Sequence, residues 1–260
     1  MDRFVAFPAF PELTTQRLVL RELTVADVDW YFRHFSRPEI VLGQGYPPPA
    51  DRAAAEAELR TFVLDLFGAR NGFRWGIATL DDPALIGSAG LYKWVDAPLR
   101  QAELGYDLEP AAWGRGFMRE ALEAILDFAF GPMRLERVEA FVLTSNERSQ
   151  RVLDRLGFRR VALLPDHGED EHGTLRDEWL FGLSHDDWSA PVAPAAPATA
   201  EAPAESSRRR HPLRPPGRRT LIGQRRRRTR TAIRKMAAAI PATGISTSTR
   251  GMSTPESPFN

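Results

Sequence analysis

The chain has 260 residues, with 35 Lys+Arg against 34 Asp+Glu and no cysteine. Lack of cysteine excludes disulfides, Cys-ligated zinc and a cysteine nucleophile, and no apolar run approaches the roughly 20 residues that span a bilayer. The opening stretch, Met1 to Leu13, is too short and too proline-broken for a signal peptide, so a cytoplasmic protein is expected.

The net charge of +1 conceals two unlike parts. Residues 1–188 hold 21 Lys+Arg and 31 Asp+Glu, about −10 net, whereas 189–260 hold 14 and 3, about +11. The first part carries apolar periodicity and is long enough for one well-buried core. The second runs from a Pro/Ala-rich linker into arginine clusters, with no aromatic residue before Phe259. Such a segment does not bury enough apolar surface to offset its ordering entropy, so a disordered tail is expected over 189–260. Arg208 to Arg210 and Arg225 to Arg228 would suit weak, salt-sensitive binding of nucleic acid or an acidic partner; the alternative is an accessory extension with no specific partner.

In chain order, Arg17 to Glu22 alternates as a strand, and Thr24 caps a helix with Asp27 in the capping-box position and Val28, Tyr31, Phe32 and Phe35 on one face. That helix stops before Pro38. Gly43 to Arg52 reads as a loop, after which Leu59, Phe62, Val63 and Leu66 mark a second helix. Arg74 to Thr79, Leu85 to Tyr92 and Gln101 to Leu108 then form an antiparallel meander. The clearest helix follows the turn Gly114-Arg115-Gly116, burying Met118, Ala121, Leu122, Ile125, Leu126 and Ala129. Arg137 to Thr144 is a strand, Asn146 to Leu156 a helix closed by Gly157, and Phe158 to Leu164 and Glu178 to Leu183 are the last strands. This is an α+β pattern: a mixed, mostly antiparallel sheet of seven strands with about four helices.

The glycine turn at a helix start is a site for phosphate, because glycine lets the backbone approach an anion and the first helical turn supplies unpaired N–H groups and the positive end of the dipole. No lysine follows the turn as in a P-loop. Nor is there the βαβ unit with a distal acidic residue that a dinucleotide fold needs.

The ordered pieces "LTTQRLVLREL", "AELGYDLEPAAWGRGFMREAL", "NERSQRVLDRLGF", "GTLRDEWLF" and "DDW" resemble the GCN5-related N-acetyltransferases (GNAT), and within them the RimJ/RimL-like branch that acetylates ribosomal-protein N-termini. The resemblance covers about Leu13 to Trp188. It implies the GNAT fold, acetyl-CoA as co-substrate, no metal, and direct transfer to an amine, either a protein N-terminal amine or a small amine. The family's turn matches Trp113, Gly114, Arg115, Gly116, Phe117 and Met118, with Trp113 in place of the usual Gln/Arg and Met118 in place of a small residue, two positions that act largely through backbone.

The resemblance also implies a strand that splays at a bulge over Tyr106 to Leu108, pairing its backbone with the pantetheine arm and turning one N–H toward the acetyl oxygen. Glu103, in an otherwise apolar strand, is the first candidate for the base; the alternative is that it points to solvent on the polar face. Tyr106 is a lesser candidate for the base and a better one for lining the acetyl pocket. The tyrosine often used as the acid corresponds to Leu153 here, which leaves Ser149 as proton donor to the thiolate unless Ser149 and Asn146 only cap their helix. For Asn146, capping and cofactor contact are compatible.

The acceptor would enter between Ser36–Arg52 and the loop Pro165–Arg176. There Asp166, Glu169, Asp170 and Glu171 make either a rim favouring a cationic amine or an ordinary solvated loop. His167 and His172 lack zinc-site spacing. The competing function is an acyl-CoA-binding module without turnover, docked by its basic tail on RNA or an acidic partner; the oligomeric state is expected to be monomer or homodimer. If the tail is independent of the folded part, a chain truncated after Trp188 keeps the thermal midpoint of the full chain within about 2 °C by circular dichroism. A larger loss would show that the tail helps to hold the fold.

Overall fold

The computed structural model describes residues 7–44, 47–95 and 99–189. Almost all of the expected tail, 190–260, lies outside them. The elements are β1 (Leu13–Thr14), β2 (Leu18–Glu22), α1 (Val28–Phe35), α2 (Pro38–Gln44), α3 (Arg52–Leu59), α4 (Asp65–Gly68), β3 (Gly72–Thr79), β4 (Leu85–Val95), β5 (Gln101–Leu108), α5 (Phe117–Phe130), β6 (Arg137–Leu143), α6 (Glu147–Arg155), β7 (Arg159–Glu169), β8 (Leu175–Ser184) and α7 (His185–Ser189).

The strands make one sheet in the order β1-β2-β3-β4-β5-β6-β8-β7. Only β5 and β6 run parallel; every other neighbouring pair is antiparallel. The α+β class and the mostly antiparallel mixed sheet match the sequence reading. Among the described residues there are eight strands, not seven, because Leu13–Thr14 adds a two-residue edge to β2.

Alternation along the strands sorts side chains to two faces. Leu18, Leu20, Phe73, Trp75, Ile77, Ala89, Leu91, Ala102, Leu104 and Leu108 join one cluster with Leu122, Ile125 and Leu126 of α5 and Leu153 of α6. A second cluster packs Val28, Trp30, Tyr31 and Phe35 of α1 with Ala55 and Leu59 of α3 and with Ala78 and Leu85 of the sheet.

The helices differ most from expectation where local chemistry competes. Pro38 opens α2 rather than simply ending the structure before it, since a proline at the first helical position gives up an N–H that has no partner there anyway. The run Leu59 to Leu66 is not one α-helix: Arg60–Leu64 wind as a π-turn. The turn shifts the 3.6-residue register, leaving Phe62 36 % exposed while Leu59 and Val63 stay buried. Thr24 and Asp27 do form a reciprocal cap, but over a short 3-10 turn that precedes α1; the Thr24 N–H donates to Asp27 Oδ2 at 2.8 Å. The expected loop Pro165–Arg176 is mostly strand, with β7 reaching Glu169 and β8 starting at Leu175.

The buried face of α5 carries much of the core. Leu122→Ala should cost about 3 kcal/mol in urea unfolding, whereas Glu123→Ala, which removes only an exposed pair with Arg119, should change stability by about 0.5 kcal/mol or less.

Candidate active site

Between β5 and β6 the sheet opens. Their pairing covers only Gln101–Arg137, Ala102–Val138 and Glu103–Glu139, while β5 stays in register with β4 from Tyr92–Glu103 to Gly87–Leu108. The splay expected near Tyr106 to Leu108 is present, but it is a parting from β6 that begins beyond Glu103 and involves no bulge against β4 there. The Glu109 N–H donates to Ile86 O of β4 at 2.7 Å. Odd-numbered residues therefore turn their main-chain groups to β4, and Tyr106 and Leu108 turn theirs to the side that β6 has left. Leu108 O accepts from the Trp113 indole N–H at 2.6 Å. The Tyr106 N–H and C=O and the Leu108 N–H remain as an edge suited to an amide-bearing ligand.

The glycine turn stands at the end of this edge. Gly114 and Gly116 have φ of +73° and +80°, left-handed values that glycine adopts without strain, and a side chain built on Gly114 would meet nothing within 4 Å. The first backbone bond of α5 is Glu120 N–H to Gly116 O, 3.1 Å, so the N–H groups of Phe117, Met118 and Arg119 precede the helical ladder. Phe117 and Met118 bury their side chains, which leaves their backbone for an anion. Arg115 and Arg17 flank the turn, with guanidinium carbons 4.5 and 4.7 Å from the Phe117 ring centre. Arg17 is held by Glu120, whose carboxylate accepts from the Arg17 N–H at 2.9 Å and from Nε at 2.6 Å. Trp113 spends both of its N–H groups locally, the backbone one on Pro110 O at 3.1 Å. Its ring lies under Arg148, 3.4 Å from ring centre to guanidinium carbon. Trp113 is therefore a strap between strand and turn.

Opposite the strand edge, α6 brings in the predicted proton donor. The Asn146 side chain caps α6 by accepting from the Ser149 N–H at 3.1 Å, and its amide donates to Gly43 O at 3.3 Å. Ser149 Oγ lies 2.7 Å from the Tyr106 hydroxyl, which also reaches Ser149 O at 3.1 Å. Burial pushes the Tyr106 phenol well above its usual range, and the bond with Ser149 offsets only part of that. Tyr106 is thus a hydrogen-bond donor and unsuited to act as a base. Leu153, where the family often has a tyrosine, is fully buried in the core.

Alternation places Glu103 on the sheet face opposite Tyr106. Its carboxylate accepts from Lys93 Nζ at 2.7 Å, with 17 % of the side chain exposed. It sits at the last β5–β6 pair beside Glu139, whose carboxylate pairs with Arg137 Nε at 3.0 Å. The acidic loop is less open than its sequence implies: Asp170 accepts from the His172 and Thr174 N–H groups at 3.0 and 2.8 Å and pairs with Arg176 at 2.7 Å. His167 stacks on Phe141 and contacts Glu178 at 2.5 Å. Among the described residues there is no group of three or more His, Cys, Asp or Glu side chains placed to hold a metal, and no helix is long and apolar enough to cross a membrane.

Sequence reasoning missed a buried polar cluster on this same face. His34 of α1 is fully buried, with Nε2 2.7 Å from Asp107 Oδ1 and Nδ1 3.2 Å from Glu109 Oε1. Asp107 also takes a bond from Ser88 Oγ at 3.0 Å and an ion pair from Arg74, which in turn binds the Tyr92 hydroxyl. Glu109 pairs with Arg37 at 2.8 Å. Burial alone would raise the Asp107 carboxyl, but the nearby Arg74 and His34 and the bonds from His34 and Ser88 hold it below the ordinary carboxylate range. The signals in the sequence were faint: a histidine inside the apolar stripe of α1, and carboxylates at alternate positions around a core leucine.

A family model described as an acetyltransferase (GNAT) domain matches residues 17–159. The chain is 34 % identical to an uncharacterized N-acetyltransferase, YoaA, of Bacillus subtilis over 67 % of this chain and 97 % of that one. It is 29 % identical to the [ribosomal protein uS5]-alanine N-acetyltransferase of Escherichia coli over 68 % and 92 %. Mycobacterium smegmatis RimJ, solved with CoA-disulfide, shares the fold at a TM-score of 0.59 and 22 % identity, over 66 % of this chain and 84 % of that one. The parted strands, the adjoining glycine turn and these relatives agree: the chain belongs to the GNAT acetyltransferase family, in its RimJ/RimL-like branch.

Proposed function

We propose that this chain acetylates a primary amine, either a protein N-terminal amine or a small amine, by direct transfer from acetyl-CoA. The parting of β5 from β6 next to the glycine turn carries the reading. It sets an open strand edge suited to pantetheine amides in line with backbone donors suited to the pyrophosphate. Acetyl-CoA is the family's acyl donor and supplies the activated thioester. Amine acceptors differ among similar proteins: one relative is named for alanine of ribosomal protein uS5, and a spermidine N-acetyltransferase of Vibrio cholerae, crystallised with CoA and spermine, shares the fold at 18 % identity and a TM-score of 0.59, over 67 % of this chain and 99 % of that one.

The residues divide the proton traffic between the two faces of the sheet. A main-chain N–H of the Tyr106 to Leu108 segment polarises the acetyl carbonyl. On the acceptor face, Glu103 takes the amine proton, directly or through water, by exchanging its Lys93 partner. On the other face, Ser149 donates a hydrogen bond to the departing sulfur. Tyr106 supports it: when its single hydrogen goes to Ser149 Oγ, the serine hydrogen is released toward the thiolate. Asn146 sets the first turn of α6 so that Ser149 faces the strand edge.

Calorimetry should show micromolar binding of acetyl-CoA, and Gly114→Val, which forces a left-handed backbone on a branched residue and fills the space beside the turn, should weaken it at least tenfold. No binding to the wild-type chain at millimolar ligand would sink the reading. In thiol-release assays with a panel of amines, Glu103→Gln should lower kcat about 100-fold and Ser149→Ala about 10- to 100-fold, each with CoA affinity retained. If neither variant slows turnover, the catalytic roles are wrong. Because burial keeps Tyr106 protonated, the pH–rate profile should carry no phenol limb up to about pH 10. Tyr106→Phe should therefore lower the rate without changing the profile's shape.

A further inference from the structure

The edge of β5 that would meet the acyl donor poses a mechanical difficulty. Beyond Glu103 it has β4 on one side and, on the other, a strand that has turned away. A strand end held by one ladder frays more readily than one held by two, and fraying would move the Tyr106 and Leu108 amides that have to be in place before the donor binds.

We propose that His34 is a positioning residue for acyl transfer: bridging Asp107 and Glu109, it clamps the open end of β5 and holds the Tyr106–Leu108 amides in register for the acyl donor. The proposal rests on the acetyl-CoA reading above. Asp107 and Glu109 flank Leu108, the residue whose carbonyl is strapped by Trp113. One rigid ring fully buried against Trp30 at 4.8 Å between centroids spans both carboxylates, so neither end of the Asp107–Glu109 segment can shift without breaking a buried, charge-assisted contact. Around the ring, Arg74 and Arg37 pair with the same two carboxylates, and the Tyr92 and Ser88 hydroxyls complete the set. His34 lies in α1 and does not itself reach the open edge, so its influence on catalysis passes through Asp107 and Glu109.

Two variants of the full chain test this, His34→Leu, and Glu109→Gln as the milder one that keeps the ring and leaves a partly exposed position. Steady-state kinetics should show KM for acetyl-CoA raised about tenfold and kcat lowered about tenfold in His34→Leu, with KM for the amine within twofold. Glu109→Gln should move the same constants in the same direction by less. Hydrogen exchange without ligand should be faster in the peptide covering 104–109 and unchanged in α5. Constants within twofold of wild type per folded molecule, or exchange that rises uniformly across the chain, would overturn the proposal by reducing His34 to a stability role. If wild-type chain binds no acetyl-CoA the functional reading fails, while the exchange at 104–109 still reports whether the clamp exists.

Discussion

A backbone hydrogen bond that β5 cannot make to β6 is the constraint around which the rest of the molecule is arranged. A strand inside a sheet normally satisfies both of its edges, and each buried polar group left without a partner costs about 1–3 kcal/mol. Here the ladder to β6 ends at Glu103, so the fold keeps a strip of main-chain donors and acceptors open in the middle of the sheet. The strip is tolerated because its surroundings are fixed: β4 pairs along its whole length, Trp113 straps Leu108 O, and α1 grips the side chains on either side of Leu108. Such a strip suits a ligand that bears amides.

The same strand separates opposite electrostatic tasks. Its even-numbered side chains enter the core with α5 and α6, where burial keeps Tyr106 protonated beside Ser149. Its odd-numbered side chains, Glu103 and Asp107, face the other side of the sheet and are compensated by Lys93, Arg74 and His34. A period of two residues thus places the Tyr106 hydroxyl, paired with Ser149, and the Glu103 carboxylate on opposite faces of the sheet, although the two lie three positions apart. Removing one member of the Asp107 cluster would leave a buried charge uncompensated, a loss of about 3–5 kcal/mol where a pair is deeply buried.

Elements whose signal is local were legible before the structure. The α5 stripe, the capping asparagine of α6, the alternation of β5 and the glycine turn all depend on contacts within a few residues, and the β5 bounds agree to the residue. What failed to be legible depended on competition between close alternatives. Pro38 both ends one helix and begins the next, and the π-turn at Arg60–Leu64 breaks a periodicity that looked continuous. The acidic loop before Arg176 looked open because charge alone does not show that Asp170 closes its own turn.

The sequence by itself determined the family-specific parts: a strand, a glycine turn, a helix that buries one face, and a serine placed by an asparagine cap. Tertiary structure alone decided which groups meet across long separations. His34 reaches Asp107 over 73 positions and Tyr106 reaches Ser149 over 43, because strand alternation offers each side chain a face but only the packed helices supply its partner. The parting of β5 from β6 belongs to the same class. It is a relation between two strands, and neither strand's residues state it alone.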